Sequence, residues 1–312
     1  MTPTFEWCDD MGRPRIFCPC GACGGTETGI FDGVSDELYH RDRGSLSSSG
    51  ARTILHRSPA HFKHERDHGR PPKKAFDRGH AAHTEILGVG APVAVLDPKI
   101  HGLKRDGSVA DSPTATTAWK AAEADARARG ETPIHIDDWR HIEAMVAVVR
   151  SHPLARLLLA SGQPEQSIYW RDEQTGVLLR ARPDWLHRNK AGRLVVVDYK
   201  TTKSARPSDF RKSVGDFGYH QQEAWYRDGV AAVLGEEDPI FVFIAQEIEP
   251  PHAVIVAQLD TEDVDLGRRL NRRAIDTYAE CVATGTWPAY GDDIQHLALP
   301  AWARTQQEES VA

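Results

Sequence analysis

The chain has 312 residues, 40% hydrophobic and 27% charged, enough apolar material for one large α/β domain or two small ones. Its net charge of −7 argues mildly against a protein that coats nucleic acid, and no apolar run approaches the roughly 18–20 residues of a membrane span. The start, MTPTFEWCDDMGRPR, has no apolar h-region, so a cytoplasmic protein is expected, its five cysteines being thiols or metal ligands rather than disulfides.

Residues 1–30 form a Cys-rich N-terminal extension without periodicity. Cys8, Cys18, Cys20 and Cys23 could supply four thiolates to Zn2+, and CPCGACGG resembles a compressed zinc knuckle, although only Cys20–Cys23 has the C-x2–4-C spacing. Free thiols in a loose tail are the alternative, and an iron–sulfur cluster fits less readily. From Phe31 the chain becomes regular. The serines of SLSSS (45–49) cap a short helix over Gly50–His56, and Pro59 opens another over Ala60–Arg66. Hydroxyls at a helix N-terminus also suit an anion, with Arg41 and Arg43 just upstream.

Ala75–Leu87 reads as a helix, because Phe76, His80, His83 and Leu87 recur at steps of three and four. On periodicity alone His83 is a hydrogen-bonded core histidine. Residues 97–118 read as a long polar loop. Helices follow over Trp119–Arg129, from Asp137 or Asp138 with Ile142, Met145, Val146 and Val149 as apolar face, and over Pro153–Ala160. A single sheet is expected next, from strands Gln166–Arg171 (with Glu165 at its start), Gly176–Arg182, Leu194–Lys200, Pro239–Glu247 and Ala253–Gln258. Between the third and fourth, Asp216–Leu234 reads as a helix with Gln222 and Tyr226 on one face. Asp263–Thr284 is a long amphipathic helix, and the polar tail after Trp302 is expected to fray. The order implies a mixed α/β (α+β) domain, and no G-x-G-x-x-G or Walker sequence appears.

The stretch Arg180–Lys203 carries the densest chemistry. It reads RARPDW, a turn-like HRNKAGR, then LVVVDYKTTK. Asp198 and Lys200 are two apart on a strand and share a face, and the turn at Asn189 and Gly192 folds Asp184 back towards them. Two carboxylates can hold one or two Mg2+ ions with water and phosphate oxygens completing the shell. Such a metal lowers the pKa of bound water, while Lys200 can orient or help deprotonate it or neutralise the scissile phosphate. That set performs phosphodiester hydrolysis; the alternative is a strand-end salt bridge. Two basic windows, Arg57–Arg78 and Lys200–Lys212, flank this chemistry and suit a phosphate backbone.

RPD…VVDYKTT resembles the PD-(D/E)xK nuclease core, a restriction-endonuclease-like central mixed sheet flanked by helices, with Asp198 as the last acid. More narrowly, the chain resembles the RecE-type (exodeoxyribonuclease VIII-like) exonucleases of phages and prophages, relatives of RecB-like nucleases. The segments that carry this are LSSSGARTILHRSPAHF, FDRGHAAHTEIL with its G-x-x-x-H helix, SHPLARLLLASGQPEQSIYW, DEQTGVLLRARPDWL and GYHQQEAWY with its Q-x-x-x-Y helix. The similarity runs from about Phe31 to Gln258 and implies an exonuclease domain over 31–290 followed by a polar tail over 291–312.

By that resemblance His83 becomes a metal ligand beside Asp184, Asp198 and the backbone carbonyl of Tyr199, with Glu165 reaching the metal through water. Lys200 becomes the catalytic lysine, and Gln222 and Tyr226 touch the DNA backbone or order Lys200; helix packing is their other reading. Ser49 and Arg43, with Lys203 nearby, become a pocket for DNA and its terminal 5′-phosphate. The resemblance implies a Mg2+-dependent enzyme, with Mn2+ as a substitute, that digests duplex ends 5′→3′ and leaves 3′ overhangs for a RecT-like single-strand annealing protein. It further implies a homo-oligomeric ring in the cytoplasm of a bacterial host. A RecB-like nuclease of other polarity or single-strand preference, and a non-catalytic DNA-end binding protein, are the alternatives. The cysteine-rich start departs from the RecE core. RecB-like nucleases with an iron–sulfur cluster place one cysteine early and three late; here four are early and Cys281 stands alone.

Overall fold

Leu194, Val195, Val196 and Val197 are all buried, and they form the middle of a sheet covered on both faces. Leu194 and Val196 point into one apolar cluster with Phe210, Trp225 and Phe243. Val195, Val197 and Tyr199 point into another with Val149, Leu158 and Ile244. A strand read as continuously apolar is therefore one whose two faces both meet core.

The computed structural model describes residues 28–69, 75–291 and 293–311, together with the backbone of 7–8 and 13–14. The N-terminal half contains β1 (Trp7–Cys8), β2 (Arg13–Pro14), β3 (Gly29–Phe31), α1 (Asp36–Arg41), β4 (Leu46–Ser47), α2 (Ser48–His56), α3 (Pro59–His68) and α4 (Ala75–Leu87). Next come β5 (Val93–Leu96), α5 (Pro98–His101), α6 (Thr117–Ala128), β6 (Thr132–His135), α7 (Ile136–Ser151) and α8 (Pro153–Leu158). The strands β7 (Gln163–Pro164), β8 (Ser167–Arg171), β9 (Leu178–Ala181), β10 (Trp185–Arg188) and β11 (Leu194–Thr202) follow. The chain ends with α9 (Pro207–Phe217), α10 (Tyr219–Leu234), β12 (Ile240–Glu247), β13 (Val254–Ala257), α11 (Thr261–Thr284) and α12 (Ala301–Val311).

The central sheet has five strands in the order β13-β12-β11-β10-β7. β11 is parallel to β12 in a register that sets Asp198 beside Phe243, and antiparallel to β10, with Trp185 opposite Val197. The expected turn closes the β10–β11 hairpin: Asn189 and Arg193 bond through their backbones, and Gly192 takes a positive φ of 79°. The architecture is a mixed α/β fold, as expected, but β8 and β9 do not join this sheet. They lie in a second sheet, order β3-β8-β9-β4. The chain leaves it at Pro183, which has no N–H to continue a ladder. The single sheet expected from the sequence is thus two, with a further pair of parallel strands, β5 and β6, in stretches where the sequence suggests no element.

Two other boundaries differ. Residues 97–118 hold α5, a bridge between Leu103 and Val109 and a 3-10 turn over Pro113–Ala115. The helix expected over Asp216–Leu234 is two helices, broken at Gly218, whose φ of 65° both ends α9 and starts α10. The tail is helical over Ala301–Val311, with no buried residue. Among the described residues no helix is long and apolar enough to cross a membrane.

Buried arginines fasten the N-terminal segment to the second sheet. Arg180 donates to the carbonyls of Asp42 and Ser45 and to the Ser45 hydroxyl, and pairs with the Asp42 carboxylate at 3.3 Å. Arg182 reaches Ser167, the Val34 carbonyl and Asp36. The Tyr39 ring lies under both guanidinium groups, at 5.0 and 4.0 Å.

α11 crosses the start of α10 at Gly267. A Cβ there would stand 2.3 Å from the His220 carbonyl oxygen and 2.9 Å from the Gln221 nitrogen, both rigid backbone atoms. Gly267→Ala is therefore expected to destabilise the fold by about 1–3 kcal/mol, despite alanine's better helix propensity. A urea titration checks this; an unchanged or raised midpoint would show that the helices separate freely.

Candidate active site

Asp198 sits where β11 passes the end of β10. It continues the face of Leu194 and Val196, so its fully buried carboxylate points towards α10. There the Gln222 side-chain amide donates to Oδ1 at 2.7 Å, and Lys200 pairs with Oδ2 from the next position on the same face. Asp184 immediately precedes β10. One carboxylate oxygen accepts the Tyr199 N–H at 2.7 Å, and the other lies 3.2 Å from His83 Nε2. Within a strand a residue's N–H and C=O point the same way, so the Tyr199 carbonyl faces the same fork.

α4 brings His83 over this fork. Four residues earlier, Gly79 passes Thr201 of β11, where an added Cβ would be 4.0 Å from the Thr201 hydroxyl. The far nitrogen of His83, Nδ1, lies 3.5 Å from Glu165 Oε1. Glu165 is not the start of a strand, as the pattern suggested. It links β7 to β8 with a φ of 44°, an uncommon conformation for a residue with a side chain, and its N–H donates to the Asp184 carbonyl. That kink turns its carboxylate to the imidazole. Tyr226 stands one turn beyond Gln222, its hydroxyl beside the Gln222 amide, and its ring packs on Phe241 at 6.4 Å. Helix packing and a place in the site's hydrogen-bond chain therefore both describe it.

The charges are strongly interlocked. Burial pushes the Asp198 carboxyl up to about 6, against the pull of Lys200, with Asp184 adding to the rise. Burial would raise Asp184 too, but His83 and Lys200 outweigh it and hold it below the ordinary carboxylate range. For Lys200, burial opposes the ammonium, and Asp198 and Asp184 more than offset it, so its pKa is raised. His83 behaves likewise: desolvation works against the imidazolium, and Asp184 and Glu165 prevail. Burial, reinforced by Asp36, raises Glu165. Lys200 is thus held as an ammonium by its two carboxylate neighbours.

Ser49 and Arg43 are not gathered into this cluster by their hydrogen bonds. The Ser49 hydroxyl pairs with Ser47, and Arg43 donates to the Asp67 carbonyl at the end of α3. Lys203 is exposed just past β11. The Cys8 side chain and Cys18, Cys20 and Cys23 lie outside the described residues, while Cys281 is a buried free thiol. Tyr219 was not anticipated from the sequence. Its ring lies 5.2 Å from the Lys200 ammonium. The signal was available: Tyr219 is three residues before Gln222, hence on the same helical face.

Among the described residues no three His, Cys, Asp or Glu side chains are already arranged as a metal shell. The ion pairs explain this, since His83 and Lys200 take up carboxylate oxygens. The donor set itself fits a divalent cation. Asp184, Asp198 and the Tyr199 carbonyl are hard oxygen donors suited to Mg2+ or Mn2+. Even with Lys200 paired to it, the buried Asp198 carboxyl stays raised, so that one cation does not fully offset its burial.

Fold and site together define a PD-(D/E)xK-like core: a parallel–antiparallel strand fork with an acid before one strand and Asp-x-Lys on the other, flanked by helices. The chain belongs to the family described as PDDEXK-like domain of unknown function (DUF3799), which matches residues 106–300. That span holds Glu165, Asp184, Asp198, Lys200, Gln222 and Tyr226, while His83, Ser49 and Arg43 precede it. No curated protein matches the chain. Among solved structures, a candidate exonuclease from Eubacterium rectale aligns with 87% of this chain and 98% of its own, at 12% identity and a TM-score of 0.54, which shows a shared fold. A second structure, SSO0001, aligns with 75% of this chain and 77% of its own at 13% identity and a TM-score of only 0.32.

Proposed function

We propose that the chain is a divalent-metal-dependent DNA exonuclease that hydrolyses phosphodiester bonds from duplex ends, 5′→3′, in phage-type recombination. The observation that carries the reading is the convergence at one strand fork of Asp184, Asp198, Lys200 and His83, supported by Glu165 and Gln222. The description of the Eubacterium rectale protein as an exonuclease agrees with it, as do the RecE-like segments of the sequence.

His83, Asp184, Asp198 and the Tyr199 carbonyl would hold Mg2+ or Mn2+, with Glu165 beside His83. A bound cation supplies Lewis-acid stabilisation of phosphoryl charge and an acidified water. The chain's own residues do the rest. Gln222 fixes Asp198 by its 2.7 Å bond, and Tyr226 steadies Gln222. The Tyr199 N–H fixes Asp184. Lys200, held as an ammonium, orients water and offsets the charge that develops on the scissile phosphate. DNA ends, a RecT-like annealing partner, a homo-oligomeric ring and a cytoplasmic host setting complete the proposal.

The test uses linear duplex and single strand labelled at either end, and uniformly labelled closed circular duplex, with Mg2+. Linear duplex is expected to be shortened from its 5′ ends to leave 3′ single strands, and closed circles to survive. Circles cut as fast as linear DNA would refute the exonuclease reading. Release from 3′ ends, or preference for single strands, would replace it with a RecB-like nuclease. Binding of ends without cleavage would make it an end-binding protein.

A further inference from the structure

At the corner between α9 and α10, three aromatic rings stack in a row that begins at the surface and ends in the core. Phe217 stacks on Tyr219 at 5.7 Å with planes 29° apart, and Tyr219 stacks on Phe243 at the same distance and angle. Phe243 is fully buried in the core, whereas Phe217 is 61% exposed. An exposed phenylalanine at the end of such a row gains little from folding, since its outer face stays in water. It is nevertheless rigidly placed: Gly218, between the two rings, has a positive φ, and Arg52 donates to its carbonyl at 3.3 Å.

The middle ring also touches the chemistry. Lys200 Nζ lies 5.2 Å from the Tyr219 centroid. The centre of Phe217 is therefore within about 11 Å of the ammonium, the sum of the two separations. That is roughly the span from a phosphate to the far side of a base stacked beside it. The surroundings suit a nucleic-acid strand. Lys203, Arg206, Arg211 and Lys212 are exposed on or just before α9, and a Cβ added to Gly215 would meet open space. Cations along a backbone path with an aromatic face for the base are the usual means of holding a single strand without reading its sequence.

We propose that Phe217 is the platform on which the nucleobase next to the scissile phosphate stacks, the Phe217–Tyr219 row setting its distance from Lys200. The occupant is an unpaired base of a DNA strand, and the inference rests on the nuclease reading of the site. Tyr219 is a positioning residue in this arrangement. It holds the lysine by cation–π contact and supports Phe217 from behind. The stack gives affinity for any base and none for an abasic sugar.

The experiment compares wild-type protein, Phe217→Ala and Phe217→Trp on duplexes carrying one abasic nucleotide at successive positions from the end. Phe217→Ala is expected to raise KM on intact ends on the order of 10-fold, with kcat much less affected and Phe217→Trp restoring KM. At one position the abasic nucleotide should weaken wild-type binding and add nothing to the Phe217→Ala defect. Equal penalties for both proteins at every position would overturn the proposal. A second measurement needs no cleavage: 2-aminopurine near a DNA end, mixed with the protein in EDTA, should be quenched by wild type and not by Phe217→Ala. Quenching without cleavage by the wild type in Mg2+ would refute the nuclease reading and leave the platform standing. Cleavage with equal quenching by both proteins would do the reverse. Because Phe217 is largely exposed, matching thermal melts are expected and confirm an intact fold.

Discussion

Lys200→Ala is expected to reduce phosphodiester cleavage by at least about 10²- to 10³-fold, the usual loss when a preorganised charge at a reacting oxygen is removed, while DNA affinity stays within a few-fold. The reason lies in its surroundings. Lys200 is the cation that neutralises the fully buried Asp198, and it sits against the Tyr219 ring, so its ammonium is fixed before substrate arrives. Alanine removes the charge that faces phosphate and leaves Asp198 with only the Gln222 amide. A separate readout follows from linkage. Burial already raises the Asp198 pKa above its unfolded value. Its contribution is therefore favourable below the unfolded pKa and is lost as pH rises through the folded one. Without Lys200 the folded pKa climbs further, which carries that loss to higher pH. In metal-free buffer, Lys200→Ala should fall behind wild type in melting temperature more at pH 8 than at pH 5. Single-turnover cleavage, filter binding and melts across pH measure the three effects. Near-normal cleavage would remove Lys200 from the mechanism, and a pH-independent melting difference would show that Asp198 does not depend on it.

How much of this was legible in the sequence depends on whether the signal is local. The turn at Asn189 and Gly192 and the shared face of Asp198 and Lys200 follow from turn chemistry and two-residue periodicity, and both are present, although β10 (Trp185–Arg188) is not among the expected strands. His83 could not be placed by periodicity, because the helix face that meets the core is also the face that overhangs the strand fork. Only its membership of a G-x-x-x-H segment set it apart. Glu165 was singled out by the family resemblance alone, because its contact with His83 depends on one unusual backbone angle, which alternation of apolar residues does not encode. The division between the two sheets was invisible for a similar reason. The three strands expected over Gln166–Arg171, Gly176–Arg182 and Leu194–Lys200 read as one unbroken meander, whereas Pro183 and the buried Arg180 and Arg182 decide where the chain leaves one sheet for the other. The break at Gly218 lies inside a stretch that is helical on both sides, and the Phe217–Tyr219 corner exists only because of it.

Arg180→Met is expected to cost about 3–5 kcal/mol of folding stability, the range for breaking a buried ion pair by removing one partner. Methionine is close in length and would fill much of the space, so the loss is one of charge and hydrogen bonds rather than packing. Arg180 is buried, and the Asp42 side chain beside it is wholly inaccessible to water. After substitution the Asp42 carboxylate keeps the Gly44 N–H and the Ser45 hydroxyl but has no cation. The carbonyls of Asp42 and Ser45 lose their donor as well. A loss of that size is a third or more of the stability of a typical domain, and it falls on the contact that anchors residues 36–47 to β9. β4, which pairs with β9 through Leu46 and Ser47, leads directly into α2, so the damage should extend to the α2–α10 packing behind the active site. The mechanism is separable from simple loss of fit by adding Asp42→Asn. If the stranded carboxylate is the main cost, the double variant should recover a substantial part of the loss, whereas Asp42→Asn alone should destabilise the wild type. Urea denaturation of the four proteins closes this cycle. Additive losses would show that Arg180 acts through its carbonyl contacts and the Tyr39 ring, and that its charge is not what holds the N-terminal segment in place.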